Sequence, residues 1–172
     1  MDVLLAWASR LGSTREIAER IAQRQDAAGM QPRVEAASEA VIRPDDRAVI
    51  IGSAVYAGRW LKPAVAFARR NESSLVARPV WLFSSGPVGN LATRSAPVEP
   101  KEIGELRRTL HPRDHRVFAG ALDRADIDGA GFGRIGRFVA KLFVPEGDYR
   151  DWAAIDAWAD GIARELAVAA SA

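Results

Sequence analysis

Cysteine is absent from this chain, which excludes disulfide bonds, thiol nucleophiles and thiolate-ligated zinc or iron–sulfur centres. Histidine is nearly absent: only His111 and His115 occur, flanking Pro112 with no metal-ligand pattern nearby, so both are expected at the surface rather than on a metal. No apolar run approaches a membrane span. No charged segment leads into an apolar stretch and a cleavage site. The lack of cysteine is most consistent with the cytoplasm. Charge of one sign is also lacking. With 24 basic and 22 acidic side chains the net charge is +2, and with no basic cluster nucleic acid is not an expected partner.

What is present is a globular composition, 48% hydrophobic and 27% charged, and the 172 residues suit one domain, 1–172, burying roughly two-thirds of its unfolded surface. Val3 to Ala8 is a continuous apolar run of the kind that forms a strand covered on both faces. From Thr14 to about Ala28 apolar residues recur at helical spacing and Gly29 marks the stop. Pro32–Ala36 reads as an edge strand, Ala48–Ile51 as a second buried strand, Leu61–Arg70 as a helix and Val80–Phe83 as a further strand. A helix over Lys101–Leu110, a fifth strand over Val117–Leu122 and a closing helix from Trp152 to about Val168 complete the pattern. Strands alternating with helices imply an α/β, doubly wound parallel sheet with helices on both faces.

In such sheets ligands bind beyond the carboxyl ends of the strands. The first strand runs into Ser9-Arg10-Leu11-Gly12-Ser13-Thr14, where a helix start offers free N–H groups and a positive dipole end suited to a phosphate. Gly12 permits close backbone approach, Ser9, Ser13 and Thr14 can donate hydroxyl hydrogen bonds, and Arg10 can add charge. The same letters allow a second account: Ser13-Thr14-Arg15-Glu16 fits a capping box that starts a helix with no ligand. The turn is neither a Walker loop nor a dinucleotide fingerprint. Two more strand ends are small and backbone-rich, Gly52 to Gly58 and Ser84 to Gly89. Neither Ser53 nor Ser85 sits in a hydrolase elbow, G-x-S-x-G.

Ser9 to Thr14 resembles the phosphate loop of the flavodoxin family, T/S-x-T-G-x-T after strand one, with Leu11 replacing the middle hydroxyl. Within that family the order of "SRLGSTREIA", "VIIGSAVYAGRW", "FAGAL", "RFVAKLF" and "DWAAIDAWA" is similar to the branch containing menaquinone-dependent protoporphyrinogen IX dehydrogenase. The resemblance implies a flavodoxin-like, five-stranded sheet of order 2-1-3-4-5 and one noncovalent FMN. By family position its phosphate would be held by Ser9, Arg10, Leu11, Gly12, Ser13 and Thr14. Its ring would lie between Ala54, Val55, Tyr56, Ala57 and Gly58 on one side and Ser84, Ser85, Gly86, Pro87, Val88 and Gly89 on the other. Tyr56 is the candidate to stack on that ring, and backbone N–H groups of Gly86–Gly89 would meet its pyrimidine edge. The segment Ser84–Pro100 is rich in proline and poor in lysine, which departs from the dehydrogenase.

A flavin would carry the redox chemistry, so no side chain is nominated as catalytic. The lead expectation is an FMN-dependent oxidoreductase, with a quinone or porphyrinogen as partner. The alternatives are an electron carrier between redox partner proteins and a flavin-free binding module. Near-neutral charge argues against the acidic docking face of a carrier. Gly133 to Val144 has one apolar and one basic side; it suits peripheral contact with an anionic membrane surface, or simply covers the sheet. Trp7, Trp152 and Trp158 fall on apolar faces and read as core. Trp60 is read as a shield for the flavin, as a receiver for a planar substrate, or as packing under the next helix.

Overall fold

The computed structural model describes residues 1–86, 99–122 and 147–171. Pro87, Val88 and Gly89, and the amphipathic stretch Gly133–Val144, lie outside the described residues. The apolar run at the N-terminus forms β1 (Asp2–Ala8), and α1 (Ser13–Ala27) follows it. After α1 come β2 (Gln31–Ala36) and β3 (Asp46–Tyr56), which is continued by the short β4 (Arg59–Trp60). Next are α2 (Lys62–Arg70), α3 (Glu72–Val76) and β5 (Val80–Ser85). Then α4 (Lys101–Leu110), β6 (Asp114–Phe118), β7 (Ala121–Leu122), β8 (Gly147–Asp148) and α5 (Trp152–Ala170).

The main sheet has the order β2-β1-β3-β5-β6, all pairs parallel, with β4 antiparallel to the end of β3. Counting only the five long strands this is 2-1-3-4-5, the order of a flavodoxin-like sheet. Side chains alternate across it. Val3, Leu5, Ile50, Trp81 and Phe83 pack against α1 and α5, while Leu4, Ala6, Val49, Ile51, Val80 and Leu82 pack against α2, α3 and α4. Phe83, Phe118 and Trp158 meet at tilted or edge-on angles, with ring centroids 5.6–6.2 Å apart, a geometry favoured by aromatic quadrupoles. On the α1–α5 seam Arg20 pairs with Asp156 and Arg24 with Asp160, each through two nitrogens. Trp7 and Trp152 pack against the first core half-buried, and Trp158 belongs to it.

Two strands differ from expectation by more than two residues. The third strand does not stop at Ile51 but runs to Tyr56, through residues that read as loop. Gly52 is needed there because a Cβ would lie 2.0 Å from the Phe83 ring, and Ser53 turns its hydroxyl to Leu61 N–H at 2.9 Å. The fifth strand begins at Asp114 rather than Val117 and ends at Phe118. The following chain leaves the sheet: Gly120 O accepts from Tyr149 N–H, and Ala121 N–H donates to Ser13 Oγ, so Ala121–Leu122 pairs with Gly147–Asp148 as a separate ribbon. Among the described residues no helix is long and apolar enough to cross a membrane.

Candidate functional site

At the carboxyl end of β1 the chain turns through Ser9–Gly12 and enters α1. Gly12 sits at φ +85° as the N-cap, a conformation costly for any residue with a Cβ. The capping box does not form. Gly12, not Ser13, is the cap, and no side chain among the described residues caps the helix; Glu16 instead accepts from Arg150 Nη1 at 2.6 Å. The two hydroxyls that open α1 behave differently. Ser13 Oγ accepts from Ala121 N–H at 3.0 Å. Thr14 is fully buried, and its Oγ1 has no hydrogen-bond partner among the described residues. Such an orphan costs free energy unless something completes it, and it lies where a helix also presents its unpaired N–H groups. Ser9 and Leu11 are half-buried and Arg10 is exposed.

The second strand end is a hairpin. Val55 pairs with Trp60 and Tyr56 with Arg59, leaving Ala57 (φ 49°) and Gly58 (φ 71°) as a two-residue turn. Positive φ at both positions is the type I′ pattern that suits the twist of flanking strands. Register places Ala8 beside Ser53 and Ala54 beside Ser85, so the three strand ends lie next to one another. Arg10 reaches across from the first turn, its guanidinium carbon 5.0 Å from the Tyr56 ring centroid. Burial raises the Tyr56 phenol above its ordinary pKa, and Arg10 works in the opposite direction. Gly86 N–H donates to Phe118 O at 2.9 Å, and a Cβ on Gly86 would stand 3.6 Å from Val55 O. Ser9 to Thr14, Ala54 to Gly58 and Ser85 to Gly86 thus form one crest.

Beneath that crest lies a set of buried polar contacts that sequence reading did not anticipate. Trp60 is buried, and its Nε1–H donates to Ser84 Oγ at 2.8 Å. Packing, not ring shielding, is therefore its role, and Ser84 turns its hydroxyl inward with no exposed surface. His115 Nε2 lies 2.9 Å from the same Ser84 Oγ, and its Nδ1 lies 3.3 Å from Glu99 Oε1. The His115 side chain is only 2% exposed, a correction to its expected surface position; His111 is exposed as expected. Burial lowers the pKa of His115 against the pull of Glu99. Glu102, also buried, accepts from Trp60 N–H at 3.0 Å and Arg59 Nε at 2.9 Å. Burial opposes its charge, but these donors prevail and its pKa is lowered. Lys101 N–H donates to Gly58 O at 3.2 Å, so α4 clamps the hairpin turn directly. The one signal in the sequence was the coincidence of Trp60, Ser84 and His115 near strand ends; their partners are 24 to 31 residues away, beyond any local pattern.

A buried hydroxyl with no partner among the described residues at a helix start, a positive-φ glycine and a flanking hairpin suit an anion with a planar group attached. The family model of the flavodoxin domain matches residues 4–129. No curated protein sequence matches the chain. Among solved structures, rubredoxin oxygen:oxidoreductase from Desulfovibrio gigas aligns at TM-score 0.64 and 15% identity, over 99% of this chain and 37% of that one. This chain therefore spans little more than a third of that protein. A flavodoxin from the domain Archaea aligns at TM-score 0.52 and 18% identity, over 82% of this chain and 97% of that one. A flavodoxin from Bacillus cereus gives 0.52 and 13%, over 83% and 99%. At these identities the likeness is one of fold, while the matched family model spans the sheet from β1 through β6 and the crest built on it: the chain belongs to the flavodoxin-domain family.

Proposed function

We propose that this chain is an FMN-binding redox protein, with the cofactor laid across the carboxyl ends of β1, β3 and β5. The phosphate would be held by Ser9 to Thr14, and the ring would lie against Ala54 to Gly58 and the β5 end, Ser84 to Gly86, with Pro87, Val88 and Gly89 completing the set. Ser13 and Ser84 serve this site by fixing neighbouring backbone, since their hydroxyls already have partners. The observation that carries the reading is the Thr14 hydroxyl, fully buried at the start of α1 and without a hydrogen-bond partner among the described residues. Bound there, FMN would accept and release electrons, while the protein orients it and keeps water from its ring.

The test is an absorbance and fluorescence titration with FMN, paired with Thr14→Val. Valine keeps the shape and removes the hydroxyl, so the variant should fold at least as stably as the parent. It should bind FMN about tenfold more weakly, the scale of one hydrogen bond to a charged group. No FMN binding by the parent would favour a flavin-free module. Equal losses of folding and binding would reduce Thr14 to a packing residue.

The finer reading is an oxidoreductase linked to a quinone, with a porphyrinogen-type donor. It is supported by the order of the motifs from "SRLGSTREIA" to "DWAAIDAWA". It carries with it a cytoplasmic location and a peripheral membrane contact through Gly133–Val144. Steady turnover of a quinone at catalytic protein concentration is the expected result. Electron exchange only with stoichiometric protein partners would assign the carrier role instead.

A further inference from the structure

The chain Trp60–Ser84–His115, buried and ending on the exposed Glu99, has a property that packing alone does not require: its hydrogens can be assigned. Glu99 Oε1, 3.3 Å from His115 Nδ1, is an acceptor only, so Nδ1 carries a proton. Trp60 Nε1 is a donor only, so Ser84 Oγ accepts from it at 2.8 Å. The Ser84 hydroxyl hydrogen is then free to point at His115 Nε2, 2.9 Å away, and a bare Nε2 receives it. With a neutral Nδ1–H imidazole every hydrogen in the chain finds an acceptor. A protonated ring makes Nε2 a donor as well; Ser84 Oγ then faces two donors and its own hydrogen loses its acceptor. That costs free energy in a site with no exposed surface on Ser84.

The chain leads to the hairpin. Trp60 is half of β4, and β4 pairs with Val55 and Tyr56; the turn it closes is Ala57–Gly58. The charged groups that face the imidazole are Glu99 before α4, Arg107 on α4, which holds Glu99 at 2.7 Å, and Asp114 beside it on β6. On the β4 side Arg59 pairs with Glu102. We infer that His115 is a positioning residue for the crest: as the neutral Nδ1–H tautomer it fixes the Tyr56–Gly58 hairpin through Ser84 and Trp60, and its protonation loosens that hairpin and the ligand held against it. The ligand half of this inference rests on the FMN reading; the positioning half does not. The lowered pKa of His115 agrees with it in sign. The neutral form is complete above the ordinary histidine value of 6.5, and the effect appears as pH falls below it.

The experiment follows the Trp60 indole N–H and the His115 ring nitrogens by nitrogen-15 NMR in the full chain between pH 8 and pH 5, in the parent and in His115→Gln, which can accept from Ser84 but does not titrate. Expected are a protonated Nδ1 and a bare Nε2 at neutral pH. Exchange of the Trp60 indole hydrogen, taken relative to the intrinsic indole rate at each pH, should lose about tenfold in protection as the ring titrates, in the parent only. A protonated Nε2 at neutral pH, or indole exchange with the same pH profile in both proteins, overturns the inference whether or not FMN binds. FMN affinity measured over the same range separates the two readings. An acid-side loss of about tenfold in the parent but not in His115→Gln supports the ligand half. A pH-independent affinity overturns it and leaves the flavin reading standing. No affinity at any pH overturns the flavin reading, while the indole exchange still decides the positioning role. If His115→Gln fails to fold, Trp60→Phe, which removes the indole donor together with part of the ring, takes its place: its FMN affinity should lose its acid-side dependence, and retention of that dependence overturns the inference.

Discussion

Ser13 and Thr14 are adjacent hydroxyl residues at one helix start, yet their hydrogen bonds assign them different work. Ser13 ties α1 to the chain leaving β6, while the Thr14 hydroxyl is buried with no partner among the described residues. Ala57 shows the same principle in the backbone. It holds φ 49° at the first position of a turn whose second residue, Gly58, holds φ 71°. An L-residue with a plain Cβ loses roughly 1 kcal/mol in that conformation, and asparagine tolerates it better. Ala57→Asn is therefore expected to stabilise the protein by about 0.5–1 kcal/mol, or a few degrees in melting temperature for a chain of this size. Thermal unfolding measures it, and a fall in melting temperature would show that the turn is held by its clamp on Lys101 N–H rather than by its own preference.

The elements of the fold were legible because burial imposes period. Continuous apolar runs marked β1, β3 and β5, and the i, i+3, i+4 pattern marked α1, α4 and α5, whose limits depart from expectation by two residues at most. Legibility failed where a residue answers to a partner far along the chain. Gly52 and Ser53 look like a loop in isolation; in the sheet one makes room for Phe83 and the other bonds Leu61 N–H. Likewise nothing local to Trp60 or His115 announces that both converge on Ser84. The contact of β3 with β5 yields a sharp expectation. Gly52→Ala puts a methyl within 2.7 Å of three Phe83 ring atoms, and the overpacking should cost about 1–3 kcal/mol. Phe83→Leu alone also loses packing, but the two changes together should be less damaging than their sum, because each relieves the other. A double-mutant cycle by denaturant unfolding reads the coupling; strict additivity would mean that the ring moves aside freely.

For the whole molecule the titrating groups set the conditions under which the crest is intact. The carboxyls of Glu102, Asp114 and Asp148 are all held below their ordinary values. In Glu102 and Asp114 burial opposes this and is outweighed, by the Trp60 N–H for one and by Arg116 and Trp158 for the other; Asp148 is lowered first by its bond from Arg150. A lowered carboxyl contributes stability that is present above its ordinary value, 3.8 for aspartate and 4.5 for glutamate, and is lost as pH falls through the folded value. The lowered His115 adds a shallower decline below 6.5. Stability should therefore be complete near pH 7.5, and there a ligand that binds only the folded chain raises it by mass action. FMN at about a hundred times its Kd adds about 2.7 kcal/mol, which for a chain of this length corresponds to about 5–10 °C in melting temperature. Thr14→Val, compared at the same FMN concentration, should show a shift smaller by roughly half, because a tenfold weaker Kd leaves only about a tenfold excess. Riboflavin, which offers the ring without the phosphate, should produce the same small shift in parent and variant. A riboflavin shift as large as that of FMN would mean that the α1 start contributes nothing to binding and that the hairpin and the β5 end hold the ligand by themselves.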